Sequence, residues 1–140
     1  MKITSRGRYA VLAMVDLAKF GSQKPCSLSH VSVRQNISLS YLEQIFNDLK
    51  KAELVKSQKG PGGGYILNKQ TEEIKILDIF NAIDEKIKTT GCGNNPKAFC
   101  SGTNKKCLTH NFWENLEGVI GNYLSTVHLS DLVEEQTLVK

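Results

Sequence analysis

Long apolar runs are missing from this chain of 140 residues. The longest uninterrupted stretch, Tyr9 to Val15, falls far short of the roughly 20 residues that cross a bilayer. A basic start before it has the look of a secretion signal, but Asp16 breaks the stretch and no clean cleavage site follows. A cytoplasmic protein with no membrane partner is expected. Excess charge is missing too: 23% charged residues beside 40% hydrophobic ones exclude a disordered chain. Internal repeats and low-complexity stretches are absent, and the length suits one domain. The glycine run of "KGPGGGY" has no Lys-Ser/Thr after Gly64, and Tyr65 stands where a dinucleotide fingerprint needs its last glycine. No nucleophile is paired with a base, so an enzyme is not expected.

Arginine is scarce and lopsided: Arg6, Arg8 and Arg34 all lie in the first half. Residues 1–70 carry 11 Lys+Arg against 4 Asp+Glu, and residues 71–140 carry 7 against 10. A basic amino-terminal half points to a polyanion such as nucleic acid.

The hydrophobic spacing predicts a mainly α chain. Ala10, Ala13, Met14, Leu17 and Ala18 mark a first helix over Gly7–Phe20, buried on most sides and stopped at Gly21. A short helix follows from Leu28 to Gln35, capped by Ser27 or Ser29 and closed by Asn36, a residue that tolerates the left-handed conformation. In "SLSYLEQIFNDLKKAELV", Leu42, Ile45, Phe46 and Leu49 form the buried stripe of a third helix, with Ser40 and Glu43 spaced as a capping box. Two helices joined by a short turn form the helix-turn-helix pattern. "LVKSQKGPGGGYIL" then reads as a β-hairpin whose tip, with Lys56 and Lys59, can lie in a nucleic-acid groove. Three helices and a hairpin make a winged helix-turn-helix over residues 1–70. Residues 71–140 are expected to add a fourth helix over Ile74–Ile83, a loop, and a long helix carrying Phe112, Leu116, Val119, Tyr123 and Val127, all in one compact unit. Such an apolar late helix suits packing on a second copy, so a homodimer is expected.

The loop "GCGNNPKAFCSGTNKKCLTH" holds Cys92, Cys100, Cys107 and His110. Clustered thiols in a reducing compartment serve metals more often than disulfides. The spacing has only one short pair, Cys107 and His110, whereas zinc ribbons and fingers use two. Wide, loop-borne donors suit an iron–sulfur cluster without excluding zinc, and spacing alone favours the commoner structural zinc. Cys26, His30 and His128 have no clustered partners and read as packing or surface residues.

Together "SRGRYAVLAM", "ISLSYLEQIF", "KGPGGGY" and "CLTH" closely resemble the family of winged-helix transcription factors that regulate iron–sulfur cluster supply, in one register over nearly the whole chain. The resemblance reverses the order of the two metals. It implies a homodimer on palindromic promoter DNA, with one [2Fe–2S] cluster per subunit held by Cys92, Cys100, Cys107 and His110. It also implies control of cluster-assembly genes and contact with cluster-assembly scaffold proteins. Some relatives use an aspartate near Arg8 as fourth ligand; an arginine cannot serve, which favours His110. For DNA the resemblance points to Ser38, Ser40, Tyr41, Glu43 and Gln44, and to Lys59, Gly60 and Pro61 in the wing. Lys59 stands where relatives often carry arginine and lacks its planar fork. Competing readings are a winged-helix regulator with structural zinc, and an iron–sulfur carrier.

Overall fold

The computed structural model describes residues 4–21, 24–85 and 108–138. Helix α1 (Ser5–Phe20) begins ahead of the expected Gly7 because Thr4 takes the cap, its Oγ1 accepting from Gly7 N at 3.2 Å. Thr4 in turn donates to Glu85, from N at 3.2 Å and from Oγ1 at 2.6 Å. A carboxylate there also complements the helix dipole. Ala10, Ala13, Met14 and Leu17 are fully buried, and α1 packs against the other amino-terminal helices as well as two later ones.

Asp16, which interrupts the apolar run, is 2% exposed. A buried carboxylate needs partners, and it has three hydrogen bonds from the next helix, α2 (Leu28–Gln35). Arg34 donates to it from Nε at 3.0 Å and Nη2 at 2.8 Å, and Gln35 Nε2 at 2.8 Å. The Asp16 hydrogen bond pushes the Arg34 pKa up, so this fork stays charged. Helix α2 starts at Ser27, whose Oγ accepts from His30 N, and ends at Asn36 with φ 54° and ψ 49°, both as expected.

Helix α3 (Leu39–Lys51) buries Leu42, Ile45, Phe46 and Leu49 on one face. Strands β1 (Val55–Gln58) and β2 (Gly64–Leu67) form the antiparallel wing, Val55 opposite Leu67 and Gln58 opposite Gly64. The wing is anchored by backbone bonds in both directions between Tyr65 and Cys26, at 2.9 and 3.0 Å. That approach needs glycine next door: a Cβ on Gly64 would lie 2.4 Å from the Cys26 carbonyl oxygen.

Beyond the wing the expected helix over Ile74–Ile83 is shorter. A 3₁₀ turn at Thr71–Glu73 precedes an extended Ile74, and helix α4 covers only Ile76–Ala82. Two backbone bonds hold residues 74 and 75 out of the helix: Ile76 N to Val127 O at 2.9 Å, and Leu129 N to Ile74 O at 2.8 Å. Asp78 accepts from Lys75 N at 3.0 Å and fixes the new start. The predicted stripe of Ile76, Ile79, Phe80 and Ile83 is buried nonetheless. Helix α5 (His110–Thr126) stops one residue short of Val127, which is extended. A further helix, α6 (Leu129–Leu138), was not anticipated; its Leu129 is fully buried and it packs on α1. No helix among the described residues is long and apolar enough to cross a membrane.

Candidate nucleic-acid interface and metal-binding segment

The capping box expected from Ser40 and Glu43 does not form. The cap of α3 is Ser38, whose Oγ accepts from Tyr41 N at 3.4 Å and lies 3.0 Å from Ser40 Oγ. The reason is the residue before it. Ile37 and Leu42, flanking Ser38 at the positions of a hydrophobic staple, are both buried, which places the chain's entry into the helix at Ser38. Ser40 therefore sits inside the first turn. Glu43 is exposed and makes no hydrogen bond or ion pair among the described residues.

Opposite its buried stripe α3 presents Leu39, Ser40, Glu43, Gln44 and Asn47 to solvent. Tyr41 is half-buried, with its ring edge-on to Tyr9 of α1 at 5.8 Å. An ion pair between Arg6 and Asp48 ties the far part of α3 to α1. Two of the three arginines that coloured the amino-terminal half thus hold the fold together, Arg6 on Asp48 and Arg34 on Asp16. Arg8 is exposed and has no ion pair among the described residues. At the wing tip Gly63 N donates to Gly60 O at 2.9 Å, closing a turn in which Gly60 and Gly62 have φ of 101° and 74°. Only glycine enters that region freely. The turn leaves Lys59, Gly60 and Pro61 exposed, a small basic tip without bulk.

Cys92, Cys100 and Cys107 lie outside the described residues. His110 opens α5 just beyond them, and its side chain is only 17% exposed. Its Nδ1 is buried with no hydrogen-bond partner among the described residues, while Nε2 lies 3.8 Å from Glu114 Oε2. An unsatisfied buried ring nitrogen costs free energy unless a proton donor or a metal meets it. Glu114 lies near Nε2 but beyond hydrogen-bonding distance, on the side where a histidine ligand commonly has a carboxylate. Three thiols and this imidazole fit an iron–sulfur cluster or zinc. Cys26 has another place in the molecule: it is buried, its backbone is bonded to Tyr65, and Arg34 Nη2 lies 2.9 Å from its Sγ.

Residues 3–135 match the family model Rrf2, described as an iron-dependent transcriptional regulator. The chain belongs to the Rrf2 family. It is 44% identical over 139 residues to the HTH-type transcriptional regulator IscR of Photorhabdus laumondii, covering 99% of this chain and 83% of the relative. It is 46% identical over 136 residues to a putative HTH-type transcriptional regulator of Neisseria meningitidis, covering 97% and 90%. Among solved structures, T. potens IscR is similar with a TM-score of 0.79 and 32% identity, over 97% of this chain and 88% of that one. CymR, the global cysteine regulator of B. subtilis, also has a TM-score of 0.79, at 28% identity over 96% and 98%. This Rrf2 protein is accordingly a DNA-binding transcriptional regulator of winged-helix fold and not an enzyme.

The cap at Ser38 and the contacts of Arg6 and Arg34 differ from what the sequence of the Rrf2 chain led one to expect. The signal for the first was present in Ile37 and Leu42. The ion pairs join residues far apart in the chain and left no local trace.

Proposed function

We propose that this Rrf2 protein is a homodimeric, cytoplasmic regulator of iron–sulfur cluster assembly genes that senses cluster supply through a [2Fe–2S] cluster. The observation that carries this reading is His110: a buried Nδ1, unpartnered among the described residues, opening α5 directly after the segment that holds three cysteines. Cys92, Cys100, Cys107 and His110 would hold the cluster, and scaffold proteins of cluster assembly would supply it. When bound, the cluster supplies a group whose gain or loss reports on iron and sulfur status. Replacing one thiolate by a neutral imidazole makes the ligand set less negative, which tends to raise the potential.

The chain's own residues then do the reading. Residues 1–70 form the DNA-binding region. Helix α3 enters the major groove, where Gln44 matches adenine and Glu43 accepts from the cytosine amino group. Ser40 contacts bases or phosphate, Ser38 and Tyr41 position the helix start, and Lys59, Gly60 and Pro61 meet the backbone with the wing. Glu43 has no partner within the described protein, so beside bases that offer no donor it is left desolvated and unpaired. This penalty lets the cluster-free form reject one class of operator. The dimer forms through α5, whose Phe112, Val119 and Tyr123 are exposed on one face, Val119 at 64%.

Operator selection from a random duplex library, run on cluster-loaded and cluster-free protein, tests the proposal. Two overlapping but different palindromic preferences are expected, each with steep salt dependence. Identical preferences in both forms would overturn the sensing role.

A further inference from the structure

We infer that Leu39 reads a thymine methyl group in each half-site of the operator, an inference that rests on α3 lying in the major groove. Leu39 is the first residue of α3 and is 39% exposed. It stands between Ser38 and Ser40 and one helical turn before Glu43, on the outward face that also carries Gln44 and Asn47. Every other side chain named on that face is polar. The fold does not need leucine there to set the helix start: Ile37, 4% exposed, and Leu42, fully buried, already make the staple across Ser38. The other exposed large apolar residues lie off this face, Val33 on α2 and Leu108 just before α5. Phe112, Val119 and Tyr123 share one face of α5, and Phe20 lies under the Arg34 guanidinium at 4.4 Å.

The chemistry of the groove then selects the partner. Among base edges in the major groove only thymine presents an apolar group, its C5 methyl; all other recognition sites are hydrogen-bond donors or acceptors. A recognition helix contacts bases through its amino-terminal residues, and Leu39 is the first of them. Against any other base a leucine at this place would desolvate polar atoms without returning a hydrogen bond. Leu39 therefore adds a base preference beside those of Glu43 and Gln44.

The test replaces thymine by deoxyuridine, which removes the methyl and leaves the hydrogen-bonding edge unchanged. Each thymine of a duplex selected by the full chain is replaced in turn, and affinity is read by fluorescence anisotropy. Wild-type protein should lose about fourfold at one thymine per half-site, the worth of one buried methyl. Leu39→Ala should bind thymine and deoxyuridine equally at that position while keeping its response at the others, and Leu39→Met should restore the difference. A selected half-site without thymine, or a wild-type scan with no methyl effect, overturns the inference. So does Leu39→Ala that keeps the wild-type ratio. If Ser40→Ala and Gln44→Ala also leave affinity unchanged, α3 is not the reading helix and the larger proposal falls with this one. The wild-type scan needs no variant to fold, and thermal melting confirms that each variant does.

Discussion

Replacing Glu43 by alanine separates the two roles that the sequence left entangled. Because Ser38 holds the cap and Glu43 is exposed without a polar partner, the substitution removes no side-chain hydrogen bond or ion pair within the described fold. Its effect on stability should stay within about 0.5 kcal/mol, as for surface sites generally. Alanine is also a slightly better helix former, so a small gain is as expected as a small loss. Ser38→Ala is the internal standard, since losing a side-chain cap costs about 1 kcal/mol and lowers the melting temperature by a few degrees. On DNA the prediction is selective. One base contact discriminates by about 1–3 kcal/mol, so Glu43→Ala in cluster-free protein should relax discrimination at one base pair by roughly 5- to 150-fold. The assay pairs thermal melting with anisotropy titrations on duplexes that differ only at that base pair. The reasoning is refuted if Glu43→Ala melts as low as Ser38→Ala, or if its affinity falls equally for every duplex.

Gly64→Ala should destabilise the wing strongly, by about 1–3 kcal/mol as overpacking typically does, because the new Cβ would stand 2.4 Å from the Cys26 carbonyl; unchanged denaturant midpoints would contradict that packing. Val119→Glu, on the exposed face of α5, should convert the proposed dimer to monomer at micromolar concentration in sedimentation while leaving helix content intact. A dimer that survives this charge would move the interface elsewhere. Lys59→Ala at the wing tip should weaken binding to all duplexes alike and reduce the log–log salt slope by about one, and an unchanged slope would remove Lys59 from the phosphate contacts.

The parts of the fold that were legible in the sequence are those set by local rules. Asn36 ends α2 in the left-handed conformation that its short amide side chain tolerates, and the stripe of Leu42, Ile45, Phe46 and Leu49 is buried as its spacing implied. The wing followed from two apolar runs around glycines. What was misread turned on non-local partners. Ile74 looks helical by spacing, yet its carbonyl is claimed by Leu129, more than fifty residues away in the chain. Thr4 starts α1 early and is held there by Glu85. Helix α6 was missed although Leu129, Leu132 and Val133 carry a helical spacing, because that stripe is short and is completed by packing on α1 and on the Thr71–Glu73 turn. In the candidate site, exposure of Ser40, Glu43, Gln44 and Lys59 agrees with their proposed contacts, while the choice of cap depended on which serine followed the buried Ile37.

The most direct measurement is the count of iron, acid-labile sulfide and zinc in the full chain purified without oxygen. A chain whose Cys92, Cys100, Cys107 and His110 hold a [2Fe–2S] cluster should contain about two irons and two sulfides per subunit, with visible charge-transfer absorption that persists in Cys26→Ala and is lost in Cys92→Ala. Colourless protein with about one zinc per subunit and no sulfide would show a structural zinc site and contradict the sensing account.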